Sequence, residues 1–155
     1  MAVEVGQEAP DFELRNQHRE AVRLSDFRGR SNVVLVFYPL AFTPTCTSEI
    51  SALRDAEPPL GNESVQVLAV SCDPTSALKV FAEQQGVDYH LLSDFWPHGA
   101  VARDYGAFLA DRGFATRATY IIDKAGVVRW AVVNPPGTAR DPADYEKVLA
   151  GLTER

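Results

Sequence analysis

Six consecutive apolar residues, Val33-Val34-Leu35-Val36-Phe37-Tyr38, constrain this chain more than any other feature. A strand with one face in water alternates apolar and polar side chains. A run without alternation belongs to a strand covered on both faces. A second buried strand follows at Val65-Gln66-Val67-Leu68-Ala69-Val70-Ser71. Between them Thr43-Pro44 punctuates a helix start, with Thr43 as N-cap and Pro44 at the first helical position. A helix-like run over 47–56 is stopped by Glu57-Pro58-Pro59. Strand–helix–strand units of this kind build parallel sheet.

The remaining segments complete an α/β order. Phe12-Glu13-Leu14 and Ala21-Val22-Arg23-Leu24 alternate around a polar stretch and predict a hairpin. Residues 25–29 read as one capped helical turn ended by Gly29. Asp73-Pro74-Thr75 opens a helix with Leu78, Val80, Phe81 and Val87 on its inner side. A short strand over 89–92, a turn over 93–99 and a short helix over 100–105 follow. Strands over 119–122 and 127–133 flank Asp123-Lys124-Ala125-Gly126, a strong hairpin signal. Pro135-Pro136-Gly137 breaks the chain. Asp141-Pro142 caps a last helix with Tyr145, Val148, Leu149 and Leu152 in register. The expectation is one domain over 1–155: a mixed central sheet flanked by helices, with an N-terminal β-hairpin extension. No repeat, low-complexity segment or linker interrupts it.

Charge and composition exclude several classes. A chain of 155 residues can bury a core unaided, and its net charge is −6 with acid and base interspersed. That argues against nucleic-acid binding and against an anionic membrane surface. No apolar run reaches the ~20 residues of a membrane span. The N-terminus, Met1-Ala2-Val3-Glu4-Val5-Gly6, lacks the pattern of a signal peptide. Two cysteines do not make a secreted disulfide framework. A reducing cytoplasm is expected, where the sequon Asn62-Glu63-Ser64 has no use. His18, His90 and His98 share no ligand spacing with the cysteines, so neither a metal nor another cofactor is expected.

Chemistry concentrates at Cys46, the third position of the helix that Thr43-Pro44 opens. Free N–H groups and the positive helix end favour thiolate there. Thr43 lies one turn back, where its hydroxyl could reach the sulfur or a bound oxygen. Glu49 lies on the same helical face three residues on. Arg117, beside a buried strand, is a permanent cation that could stabilise the anion. Glu49 alone would oppose the thiolate; paired with an arginine it would hold that arginine in place. The same residues admit a bland account: a buried small cysteine, a solvated arginine and a plain helix cap. Residue types alone do not bring Arg117 to Cys46.

Three motifs in order resolve this by resemblance. Pro39-x-x-x-Thr43-x-x-Cys46 resembles the peroxiredoxin signature; Ala9-Pro10-Asp11-Phe12-Glu13-Leu14 and Arg117-Ala118-Thr119-Tyr120-Ile121-Ile122-Asp123 are similar to the family's lead-in and arginine strand. The stretches Leu91 to Ala102 and Pro39-Leu40-Ala41-Phe42-Thr43 look most like the one-cysteine alkyl hydroperoxide reductase E type. The resemblance implies a thioredoxin-like fold and a thiol-dependent peroxidase. It implies Cys46 as peroxidatic nucleophile, Pro39 as its shield, Thr43 as donor to sulfur and peroxide, and Arg117 as stabiliser of the thiolate. Glu49 and Arg140 are implied as supports of that network. Sulfur attacks the distal peroxide oxygen and becomes sulfenic acid, which a second thiol resolves through a mixed disulfide. The implied partners are a peroxide, an external reductant (a thioredoxin- or glutaredoxin-like protein or a small thiol) and a second copy in a homodimer.

Cys72 ends the second buried strand and reads as a structural thiol, with a resolving role as the alternative. The last helix ends just before Arg155, so no C-terminal resolving segment is expected. Phe95-Trp96-Pro97 is a turn with aromatics for a dimer contact, a pocket mouth or the core. Two rival readings remain. A thiol–disulfide oxidoreductase normally carries C-x-x-C, whereas Thr43 and Glu49 stand at those spacings here. A non-catalytic binding module leaves Thr43, Cys46 and Arg117 without a joint purpose.

Overall fold

The computed structural model describes residues 3–56, 64–135 and 137–153. The helix stop at Glu57-Pro58-Pro59, Asn62-Glu63 of the sequon, Pro136, and the first and last two residues lie outside these. Nine strands and four α-helices are formed by the described residues. The hairpin pairs β1 (Glu13–Arg15) with β2 (Ala21–Arg23) antiparallel. A 3-10 turn at Leu24–Phe27 leads into β3 (Asn32–Phe37), buried at every position as its apolar run requires. Then come α1 (Pro44–Arg54), β4 (Val65–Ser71), α2 (Thr75–Gln85) and β5 (His90–Ser93). A five-residue helix α3 (Ala100–Asp104) precedes a small two-stranded ribbon, β6 (Phe108–Leu109) with β7 (Phe114–Ala115). The chain ends with β8 (Arg117–Ile122), β9 (Val128–Asn134) and α4 (Pro142–Thr153).

Seven strands form one mixed sheet in the order β2-β1-β5-β4-β3-β8-β9. Strands β3, β4 and β5 are parallel, as right-handed strand–helix–strand units dictate. Strands β8 and β9 are antiparallel, joined at Asp123-Lys124-Ala125-Gly126. There Asp123 Oδ1 accepts the N–H groups of Ala125 and Val127, and Gly126 takes φ +86°. Alternation sorts the side chains of β3 to two layers. Val33, Leu35 and Phe37 pack with Leu14, Val101 and Tyr105 on the α3 side. Val34, Val36 and Tyr38 face the other side, which α1, α2 and α4 cover with Ile50, Leu53, Phe81 and Leu149. Among the described residues no helix is long and apolar enough to cross a membrane.

Several boundaries differ from the sequence reading. Helix α1 ends at Arg54, with Asp55 as its C-cap, rather than running to residue 56. Strand β5 starts one residue late, and β8 begins at Arg117 itself. The β6–β7 ribbon went unforeseen because two-residue strands carry no periodicity. Val80 is 45% exposed, not inner-facing, because α2 turns Leu78, Phe81 and Ala82 to the sheet. Trp96 is 81% exposed and Phe95 is exposed beside it, whereas Tyr105 is fully buried.

Candidate active site

Cys46 sits in the first turn of α1, where leading N–H groups lack helical acceptors. Thr43 holds the N-cap position with extended backbone (φ −78°, ψ 151°), and its carbonyl accepts the Thr47 N–H at 2.9 Å. Its hydroxyl neither caps the helix nor bonds the sulfur; it donates to the Leu40 carbonyl at 2.8 Å. The segment 39–43 is therefore closed on itself. Pro39 and Ala41 are buried, and Ala41 packs in the cluster that holds Cys46. Phe42 takes φ +71°, a left-handed backbone that costs a bulky residue about 1–2 kcal/mol. Its ring lies on Phe81, with centroids 5.0 Å apart.

Asp73 ties this segment down, a role the sequence did not disclose. Its Oδ2 accepts the Ala41 N–H at 2.9 Å and the Ser71 hydroxyl at 2.7 Å. Read along the chain, Asp73 is only a residue before a helix. The usable signal was a carboxylate ending the strand next to the one that delivers the cysteine segment.

Alternation in β8 explains how Arg117 arrives. Ala118, Tyr120 and Ile122 pack on the α3 side, so Arg117, Thr119 and Ile121 face α1 and α4. Arg117 Nη1 lies 3.3 Å from Cys46 Sγ and donates to Glu49 Oε1 as well. Glu49 stands one turn after Cys46, so both present one face to β8. The segment before α4 adds Arg140. Its backbone N–H and Nε reach Glu49 Oε2 at 2.8 and 2.7 Å, and Nη2 reaches Oε1 at 3.0 Å. Arg140 Nη1 donates to the Ala118 carbonyl at 2.9 Å and Thr119 Oγ1 at 3.1 Å. Thr119 Oγ1 in turn meets the Tyr145 hydroxyl at 3.0 Å, joining the network to α4.

Arg117, Glu49 and Arg140 side chains are each about 3% exposed. Burial alone would raise the Glu49 carboxyl. The Arg140 hydrogen bonds and charge, with the charge of Arg117, outweigh it and hold Glu49 below the ordinary carboxylate range. Two guanidinium groups against one carboxylate leave this buried trio with one net positive charge beside the sulfur. The sulfur is itself fully buried, so the site is covered in this conformation.

Cys72 lies elsewhere. Parity along β4 puts Val70 on the α3 side, and Cys72 follows it to Ala115 and Arg103. Burial, then Asp94 and Asp73, push its thiol up to about 12. Both cysteines are free thiols. Among the described residues no group of three His, Cys, Asp or Glu side chains is placed to hold a metal ion.

Residues 5–131 match the pattern of the AhpC/TSA family. The chain is 46% identical over 149 residues to alkyl hydroperoxide reductase E of Mycobacterium tuberculosis, covering 96% of this chain and 97% of that one. Its fold is similar to the reduced 2-Cys peroxiredoxin of Plasmodium vivax, with TM-score 0.86 and 28% identity over 98% of this chain and 83% of that one. It is also similar to the peroxidoxin BcpB of M. tuberculosis, with TM-score 0.77 and 32% identity over 97% of each chain. A buried cysteine at a helix start, an arginine against its sulfur and a seven-stranded mixed sheet agree with these likenesses, and the chain belongs to the AhpC/TSA family of peroxiredoxins.

Proposed function

We propose that this chain, as a single domain, is a thiol peroxidase in which Cys46 is the peroxidatic nucleophile and Arg117 stabilises its charge. The observation that carries this is the 3.3 Å approach of Arg117 Nη1 to Cys46 Sγ, with Glu49 holding the guanidinium and Arg140 in turn holding Glu49. Fixed positive charge, already in place, stabilises both the attacking sulfur and the oxygen that leaves. Pro39 excludes water from the sulfur. Thr43 exchanges its bond to Leu40 for one to the incoming peroxide. Because the sulfur is covered, peroxide entry requires segment 39–43 to part from α1, and the strained Phe42 is the point where it gives.

Hydroperoxides are the substrate class, as the name of the M. tuberculosis relative supports. Hydrogen peroxide and peroxynitrite share the reacting O–O bond. Cys72, on the far side of the sheet, supports a one-cysteine cycle in which an external thiol restores Cys46. That thiol belongs to a thioredoxin- or glutaredoxin-like protein or a small molecule. Exposed Phe95 and Trp96 support a homodimer, and two free thiols support a reducing cytoplasm. Stopped-flow peroxide consumption tests the assignment. The reduced protein should outpace free cysteine by orders of magnitude, and Cys46→Ser should abolish the difference. Equal rates in the two proteins would instead favour a binding module.

A further inference from the structure

The chain has five tyrosines, and four have hydrogen-bonded hydroxyls. Tyr89 donates to the Ile50 carbonyl at 2.6 Å, Tyr105 to Pro10 at 2.6 Å, and Tyr120 to Tyr105 at 3.0 Å; Tyr145 meets Thr119. The fifth, Tyr38, is fully buried, yet its hydroxyl has no partner among the described residues. Leaving a buried hydroxyl unpaired costs free energy comparable to a lost hydrogen bond. The exception stands beside the nucleophile.

Its position follows from the sheet. Tyr38 continues β3, and its N–H donates to the Val70 carbonyl at 3.0 Å, which fixes the backbone. Val36 pairs with Thr119, so continuing that antiparallel register by two residues sets Tyr38 level with Arg117. Both face the layer under α1, and Tyr38 packs in one cluster with Cys46. The polar groups that act on its hydroxyl are Ser71, Asp73 and Cys46. Ser71 donates its hydrogen to Asp73 at 2.7 Å, and although its oxygen lies close enough to lower the Tyr38 hydroxyl, the two do not meet in the distance and angle of a hydrogen bond. Burial above all, with Asp73 and Cys46 adding to it against Ser71, pushes the hydroxyl far above the ordinary tyrosine range, so its proton stays in place.

We propose that Tyr38 is a further catalytic residue, whose hydroxyl donates to the oxygen that the Cys46 sulfur acquires. This rests on the peroxidase reading. In the step, a sulfur lone pair attacks the distal oxygen of ROOH. The S–O bond forms as the O–O bond breaks. The O–O electron pair departs with RO⁻, which takes a proton from solvent and leaves as ROH. Sulfur is oxidised by two electrons and the peroxide is reduced by two. The distal oxygen, still carrying its hydrogen, offers lone pairs to Tyr38. The bond is gained only as the transition state and sulfenic acid form, so it lowers the barrier rather than stabilising the resting protein.

Tyr38→Phe removes the hydroxyl and keeps the ring. The expected result has two parts. The reduced variant shows a guanidinium chloride midpoint equal to or above that of the wild type, because no bond is lost. Its second-order rate of Cys46 oxidation by hydrogen peroxide falls about ten- to a hundredfold, the weight of one hydrogen bond. A fast wild type with an equally fast Tyr38→Phe overturns the role of Tyr38 alone. A destabilised or unfolded Tyr38→Phe also overturns it, since the hydroxyl then has a structural partner. A wild type no faster than free cysteine overturns the peroxidase reading and this inference together.

Discussion

Replacing Glu49 by Gln tests the charge network most sharply. The two carboxylate oxygens of Glu49 receive N–H groups from Arg117 and from three positions on Arg140. Gln offers one acceptor and turns an NH₂ donor against guanidinium donors. It also removes the carboxylate that the two buried guanidinium groups share. Removing one partner of a buried pair costs roughly 3–5 kcal/mol. With m on the order of 4 kcal/mol per molar in guanidinium chloride, the midpoint of Glu49→Gln should fall by about 1 M at pH 7. The pH dependence has a definite sign. Glu49 is held below its ordinary range when folded, so its contribution is present above the unfolded carboxyl value of about 4.3 and is lost as pH falls through the folded value. The two proteins should therefore converge in stability on acidification below about pH 4. Peroxide reactivity should also fall, because Arg117 loses the carboxylate that aims it at Cys46. A loss under about 1 kcal/mol at pH 7, or a gap that widens in acid, would refute the reasoning.

Further outcomes follow from individual contacts. Arg117→Lys replaces a fork that reaches both sulfur and Glu49 with a single ammonium, and the rate of Cys46 oxidation should drop by about two to three orders of magnitude in stopped flow. Asp73→Ala strands the Ala41 N–H and the Ser71 hydroxyl, so chemical denaturation should show a loss on the order of 1–3 kcal/mol, and amide exchange at Ala41 should accelerate. Cys72→Ala should keep the peroxide rate of the wild type. In the folded wild type, Cys72 with its thiol near 12 should resist iodoacetamide at pH 8, as peptide mapping would show.

Much of the fold was legible because its signals are local. The unbroken apolar run of β3, the turn at Asp123-Lys124-Ala125-Gly126 and the proline opening α1 each point to one element. The site was legible in its residue types and not in its geometry. Arg117 meets Cys46 because β8 pairs with β3 and presents alternate residues to α1, a pairing across 71 positions that no local pattern encodes. Arg140 enters from an irregular segment, so its three grips on Glu49 had no periodicity to betray them. Thr43 reads as a cap, but its hydroxyl has a nearer acceptor in Leu40. The full burial of Cys46 depends on how segment 39–43 folds over α1, a tertiary fact. Val80 was misplaced because α2 has apolar residues on more than one face, and only the sheet selects among them.

The central claim is that peroxide oxidises the Cys46 sulfur beside Arg117. One equivalent of hydrogen peroxide added to reduced protein with a sulfenic acid trap, followed by peptide mass mapping, addresses it directly. The account predicts the trapped adduct on Cys46, with Cys72 unmodified. A Cys46–Cys72 disulfide, or an adduct on Cys72 with Cys46 untouched, would contradict it.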